Sequence, residues 1–450
     1  MSKLNNAMMG YLNKPWTFLL PLLLLASTCG KTGKEEAAPL KRILNVSPTE
    51  VRVGCKGEEF SLAVNCSFDY AVETGVDWIE YVEGSPSAQP VFSVRENPSD
   101  SERKATLRFY DPSDRYFSAQ VSLVQEASNG AQGDGEHVVV AYVTSWSSPI
   151  PDPRYMTHVN YAFGHVTSSF DGVRIDGESR FRKMVALKEK NPALKVLLSI
   201  GGWGSGGFSD MASTAARREA FARSCKQMLD DYGADGVDID WEYPGSSAAG
   251  ISSSTQDKAN YTELMKAIRL AIGSGKLLTL ASSCDAGYID FRAILPYVDF
   301  VNIMAYDMAS APQHNAPLYR EKDGKKSPVA GWCTCDEAVN AHLKAGIPAE
   351  KLVLGMPFYG HGNNTYGSFV YYCDIKGPKG TDTEKWDDVG QVPYYANASG
   401  TLTLGFDNVR SIEAKCEYIL DKGLRGGMYW EYCYDNDSLD LTKAVARKLL

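Results

Sequence analysis

The stretch "YGADGVDIDWEYPG", residues 232 to 245, places Asp235, Asp238, Asp240 and Glu242 within an otherwise apolar run. Val237, Ile239 and Trp241 alternate with Asp238, Asp240 and Glu242, so a β-strand, whose side chains alternate faces, sends these three acids to one side. Desolvation and mutual repulsion on such a face raise pKa values, and a burial cost of that kind points to catalysis or metal binding. Asp235, at the strand start, reads as a local structural hydrogen-bonding acid.

Similar strand-like runs recur at wide spacing on both sides of this one. They are "VVVAYV" (138–143), "HVNYAF" (158–163), "KVLLSIGG" (195–202), "GVDIDWE" (236–242), "LLTLAS" (277–282), "FVNIMAYD" (300–307), "LVLGMPFYG" (352–360) and "GGMYWEY" (426–432). Between several of them lie stretches with apolar residues at helical spacing, such as "AARREAFARSCKQMLDDYG" and "NYTELMKAIRLAI". Eight such runs predict an α/β fold, a (β/α)8 TIM barrel over residues 137–450, with catalytic groups at the C-terminal ends of the strands. Ser199, Glu242, Tyr306, Asp307 and Trp430 all fall at or just past such an end. A doubly wound open sheet is the alternative, but no strand leads into a G-x-G-x-x-G turn. Between Tyr359 and Trp430 the sequence predicts one helix, "SIEAKCEYILDKG", and an irregular segment, and from this an open cleft that cuts chains internally.

At 450 residues with 44% hydrophobic content, the chain can build two or three folding units. A net charge of -9 and no basic stripe argue against a nucleic-acid partner. The 8 Trp and 25 Tyr suit flat, neutral ligands such as sugars as well as a core. Cysteines show no C-x-x-C spacing, so no metal is expected, and no cofactor is implied. Cys55 and Cys66 are one candidate cross-strand pair.

The N-terminus reads as an export signal, Lys3 and Lys14 preceding the apolar run "WTFLLPLLLLA" and then "STCG". It resembles the lipobox of bacterial lipoproteins, which implies a signal over 1–29, lipidation at Cys29, a polar tether over 30–41, and a membrane association through that anchor alone. The expected location is then the outer membrane, cell surface or periplasm, or the medium if cleavage is ordinary. Residues 42–127 predict a small antiparallel β-sandwich from short alternating runs such as "EVRVG", "ATLRFY" and "SAQVSLVQEA", followed by a Gly-rich linker over 128–136. With "LNVSP", "VNCSFDY", "DWIEYVEG" and "FSVREN", the region resembles a BACON domain, an immunoglobulin-like module, serving as a sugar binder or a rigid spacer.

The run "DGVDIDWE" has the form D-x-x-D-x-D-x-E and strongly resembles the signature of family 18 glycoside hydrolases, in their chitinase branch. "SIGGW" (199–203), "MAYDM" (304–308), "HNAPLY" (314–319) and "GGMYWEY" extend the resemblance across the barrel region. It implies a monomeric glycosidase acting on a polysaccharide or glycan containing N-acetylglucosamine, with retention through an oxazolinium ion formed by the substrate's own acetamido group. Glu242 is then the general acid and base, Asp240 orients the acetamido N–H, Asp238 shares a proton with Asp240, and Tyr306 bonds the acetamido carbonyl. Asp307 helps hold the distorted sugar over Trp430, while Tyr142, Trp203, Tyr359 and Met304 belong to the substrate-binding surface, Met304 also being core. Trp146 and Trp386 are further candidates for sugar contact. Ser199, Gly201 and Gly202 read as close packing beneath the site. Two other functions remain open: an endo-β-N-acetylglucosaminidase acting on the chitobiose core of N-glycans, and a non-catalytic chitin-binding lectin, which would typically lack the final Glu.

Overall fold

The structure is a computed structural model that describes residues 42–125, apart from 55–56, 58, 83–86, 96, 98 and 100, and residues 137–450. The signal, Cys29, the tether and the linker lie outside the described residues, as does Cys55; its suggested partner Cys66 is a free thiol.

Residues 42–125 are all β. One sheet joins Glu50–Val53, Asp114–Gln125, Arg103–Asp111 and Ala71–Glu73; a second joins Glu59–Ser61, Val91–Val94 and Ile79–Tyr81; Leu44–Ser47 pairs with Ala63–Cys66. The alternation seen in sequence fills one core, in which Leu107, Phe109, Val121 and Leu123 are fully buried with Phe92. The expected antiparallel pattern holds except at Glu50–Val53, which runs parallel to Asp114–Gln125. Parallel pairing of that short strand leaves its apolar Val53 in the core while Glu50 and Arg52 stay outside.

The second unit is a closed barrel of eight parallel strands: β1 Val138–Thr144, β2 His158–Val166, β3 Lys195–Gly201, β4 Gly236–Asp240, β5 Leu277–Ser283, β6 Phe300–Met304, β7 Leu352–Pro357 and β8 Gly426–Trp430. Each pairs with its sequence neighbour and β1 pairs with both β2 and β8, which removes all free edges. These strands are buried on both faces, which is why they read as near-continuous apolar runs. Helices follow β2 to β8 and shield the outside; after β1 there is only the 3₁₀ turn Pro153–Tyr155. The long helix Ala215–Tyr232 starts at Thr214, whose hydroxyl accepts from the Arg217 N–H, and stops at Gly233 in the left-handed region, as its sequence ends suggest.

The region between β7 and β8 differs from the reading of the sequence. Besides the expected helix, Val409–Asp421, it contains a five-stranded antiparallel sheet formed by Tyr359–Gly362, Val370–Tyr371, Thr383–Asp387, Val392–Ala396 and Leu402–Gly405. Its small core is Tyr395, Leu404 and Phe406. The strands are two to five residues long and separated by Gly, Pro and Asp, so no single run carries a periodic signal; they pair with sequence neighbours across turns, and Tyr359–Gly362 pairs with Leu402–Gly405 to close the sheet. The segment that sequence left irregular thus builds a wall at the C-terminal mouth of the barrel.

Candidate active site

The acids of β4 project into the barrel. Asp238, fully buried, is the hub: Oδ2 accepts from the Tyr142 hydroxyl and the Ser199 hydroxyl, each at 2.8 Å, and Oδ1 accepts from Thr279 Oγ1 at 2.6 Å and Asn302 Nδ2 at 3.2 Å. Four strands, β1, β3, β5 and β6, therefore each contribute a donor to one carboxylate. Burial raises the Asp238 pKa while these four bonds pull it down.

Asp240, one pleat further, is 3% exposed, and its Oδ1 has no hydrogen-bond partner among the described residues. Burial first, then the charges of Glu242 and Asp238, push its pKa well above the carboxylate range. The anticipated bond between Asp238 and Asp240 is absent among the described residues, because Asp238 is already saturated by its four donors. Burial raises both acids, Asp240 the further because it lacks the donors that offset burial at Asp238, so Asp240 binds its proton more tightly than an ordinary carboxyl.

Glu242 lies two residues past the strand end, half-buried. Burial raises its pKa; the nearby Tyr243 hydroxyl opposes this and the charge of Asp307 adds to it, with a result of about 7. A carboxyl poised there delivers a proton near neutrality and takes it back.

The backbone beneath is shaped by Gly201 and Gly202. Gly202 N–H donates to the Asp240 carbonyl at 2.8 Å. A Cβ on Gly201 would lie 1.9 Å from that oxygen, one on Gly202 2.7 Å from the Phe163 ring, and both have positive φ, 132° and 93°. A side chain at Gly201 would push β3 away from the acids, and one at Gly202 would collide with the Phe163 ring.

A pocket of about 280 Å³ opens over this row, lined by Tyr142, Trp146, Trp203, Asp240, Glu242, Met304, Tyr306, Asp307, Tyr359 and Trp430 together with Phe163, Ala281 and Phe369. Trp430 forms one side, stacked with Phe163 at 5.7 Å and inclined to Tyr142. Tyr306 is buried, and among the described residues its hydroxyl meets only the Met428 sulfur at 4.0 Å, so its proton is free for a ligand. Asp307 has φ 58°; its N–H donates to Asn315 Oδ1 at 2.9 Å, and its Oδ1 accepts from the Tyr359 hydroxyl at 2.7 Å. Trp146 and Trp203, each about 60% exposed, extend the aromatic surface beyond the acids (61% and 62%).

Two residues singled out in the sequence stand elsewhere. Asp235 lies at the start of β4, bonded to Lys188 Nζ at 2.8 Å and the Val196 N–H at 2.9 Å, an anchoring role. Trp386 is on the inserted sheet under the Arg410 guanidinium at 3.7 Å and takes no part in the pocket. Sequence reading missed Phe163, Phe369, His361 and Glu431. Glu431, fully buried behind Trp430, accepts from the Thr144 N–H and hydroxyl at 3.1 Å and from Ser147 Oγ at 2.9 Å, tying β8 to the loop that carries Trp146. Its position directly after Trp430 in "MYWEY" was the available signal.

A closed parallel barrel with a proton-holding carboxyl row at its strand ends, facing an aromatic trough, defines a (β/α)8 glycosidase. The chain belongs to glycosyl hydrolases family 18, whose profile matches residues 138–435. It is 40% identical over 294 residues to chitinase A1 of Niallia circulans, covering 56% of this chain but only 42% of that protein, and 35% identical over 340 residues to chitotriosidase-1 of Mus musculus, covering 65% and 72%. Among solved structures it resembles a glycoside hydrolase family 18 N-acetylglucosaminidase from Paenibacillus barengoltzii, at 32% identity and TM-score 0.61 over 70% of this chain and 100% of that one.

Proposed function

We propose that the protein hydrolyses β-1,4 bonds between N-acetylglucosamine residues of chitin or its oligosaccharides, with retention, through an oxazolinium ion made by the substrate. The observation that carries this reading is Asp240. An enzyme nucleophile must be an ionised carboxylate beside the anomeric carbon, and Asp240 is poorly suited to that part: it is buried, and burial with the charges of Glu242 and Asp238 raises its proton affinity well above an ordinary carboxyl's, while Asp238 is engaged by four donors. The acetamido oxygen of the sugar then attacks instead, with Asp240 Oδ1, which has no protein partner, taking the acetamido N–H. Tyr306 donates to the acetamido oxygen and Glu242 protonates the leaving oxygen, then activates water. The flat faces of Trp430 and Phe163 support the distorted ring. Exposed Trp146 and Trp203 extend the aromatic lining beyond the acids and suit a chain of several sugars, which favours internal cutting. Chitinase A1 and chitotriosidase-1 among the relatives support the substrate class.

The test sets chitin oligosaccharides beside a high-mannose N-glycopeptide, using wild type and Glu242→Gln. Glu242-dependent cleavage of the oligosaccharides supports the proposal. Cleavage of the glycopeptide alone moves the function to N-glycan cores, and binding without cleavage by the wild type moves it to a lectin.

A further inference from the structure

The imidazole of His361 stands between two acceptors. Its Nε2 is 2.7 Å from Asp307 Oδ1 and its Nδ1 2.5 Å from the carbonyl oxygen of Ser368. A carbonyl oxygen never donates, nor does an ionised carboxylate, so both ring nitrogens carry protons when both bonds are made. The ring is then an imidazolium.

From the imidazole's own strand, Tyr359 packs edge-on at 5.5 Å and donates its hydroxyl to the same Asp307 oxygen; from the following loop come Ser368 and the uncharged ring of Phe369 at 5.6 Å. The strand alongside contributes Gly405, and the end of β6 contributes Asp307, the charged group facing the ring among the described residues. Burial pulls the His361 pKa down, and Asp307 with the Ser368 carbonyl outweighs it, leaving the group raised.

Asp307 is thus held at three points: its N–H by Asn315, and its Oδ1 by Tyr359 and His361. Its Oδ2 has no protein partner among the described residues, and the carboxylate borders the pocket beside Glu242. The charge of Asp307 is also one of the influences that make Glu242 hold its proton.

We infer that His361 is a positioning residue for the glycosidase reaction: as a cation on the inserted sheet it holds the Asp307 carboxyl turned toward the sugar, and its charge reaches Glu242 through Asp307. The inference rests on the glycosidase reading above. It gives the inserted sheet a chemical task, because the imidazolium belongs to that sheet and the carboxylate to the barrel. The sign follows from charge. Without the cation, Glu242 faces an uncompensated Asp307 and binds its proton more tightly, so the alkaline limb of kcat/KM moves up in pH while the rate falls through poorer placement.

The first test needs no turnover. Histidine ring resonances of isotope-labelled wild type are titrated by NMR, with His361 assigned by its loss in His361→Gln. The midpoint should lie above the ordinary histidine value of about 6.5 and drop in Asp307→Asn; an unchanged midpoint in Asp307→Asn overturns the inference even if the chitinase reading stands. The second is the pH profile of kcat/KM on a chitin oligosaccharide. His361→Gln should lose about ten- to a hundredfold and shift its alkaline limb upward, while His361→Arg, a permanent cation with forked donors, should restore most of the rate and leave the limb in place. A rate and profile for His361→Gln matching wild type, or equal loss in Gln and Arg variants that fold normally, contradicts it. No cleavage by wild type would defeat the functional reading and leave the NMR result to decide the pair.

Discussion

Replacing Glu242 with Gln should stabilise the barrel in alkali while abolishing its chemistry. The folded-state pKa of Glu242, about 7, lies above its ordinary value of 4.5 because burial, and then the charge of Asp307, oppose ionisation. A group raised in this way contributes stability that is fully present below pH 4.5 and is lost as the pH rises through 7. The interval corresponds to about 3 kcal/mol, at about 1.4 kcal/mol per tenfold change in proton affinity. Gln keeps the shape, cannot ionise and escapes that loss. Urea or thermal unfolding of the barrel should therefore show little difference between the two proteins near pH 4.5. Near pH 8.5 the variant should gain about 3 kcal/mol, on the order of 5–10 °C in melting temperature. The same variant should lose at least about a hundredfold in kcat. A Glu242→Gln protein no more stable than wild type at pH 8.5, or one whose advantage is equal at both pH values, would refute the argument that burial raises this acid.

Three further outcomes follow from the same structure. Gly201→Ala should cost more than about 2 kcal/mol and most activity, since its Cβ would meet the Asp240 carbonyl at 1.9 Å at a positive φ; denaturant midpoints and rates on oligosaccharides measure both. Glu431→Ala leaves the Thr144 N–H buried without an acceptor, which should cost about 1–3 kcal/mol and raise KM more for long than for short oligosaccharides, because the loop carrying exposed Trp146 is released. If Cys29 is the lipid anchor, Cys29→Ala should move the protein from the membrane fraction to the soluble or secreted one; unchanged partition would end that proposal.

Much of the barrel was legible because its strands are buried on both faces and its chemistry sits at strand ends. The alternation of Val237, Ile239 and Trp241 with three acids located β4 and the site together, and the Gly201–Gly202 pair marked the close approach of β3. What escaped reading depends on closure and register. Tyr142, Ser199, Thr279 and Asn302 converge on Asp238 from four strands, a convergence that no local pattern encodes. The inserted sheet escaped because its strands are short and pair across turns, and with it went the His361–Asp307 bond. Trp386 was misplaced for a related reason: an aromatic residue in sequence does not declare whether it faces a ligand or, as here, an arginine.

The central claim, hydrolysis in which the substrate's acetamido group does the work of an enzyme nucleophile, is tested most directly by following the anomeric protons by NMR during the first minutes of chitin-oligosaccharide cleavage. The β anomer should appear first and later equilibrate, and Glu242→Gln should yield neither anomer. The α anomer appearing first, or undiminished release by Glu242→Gln, would contradict it.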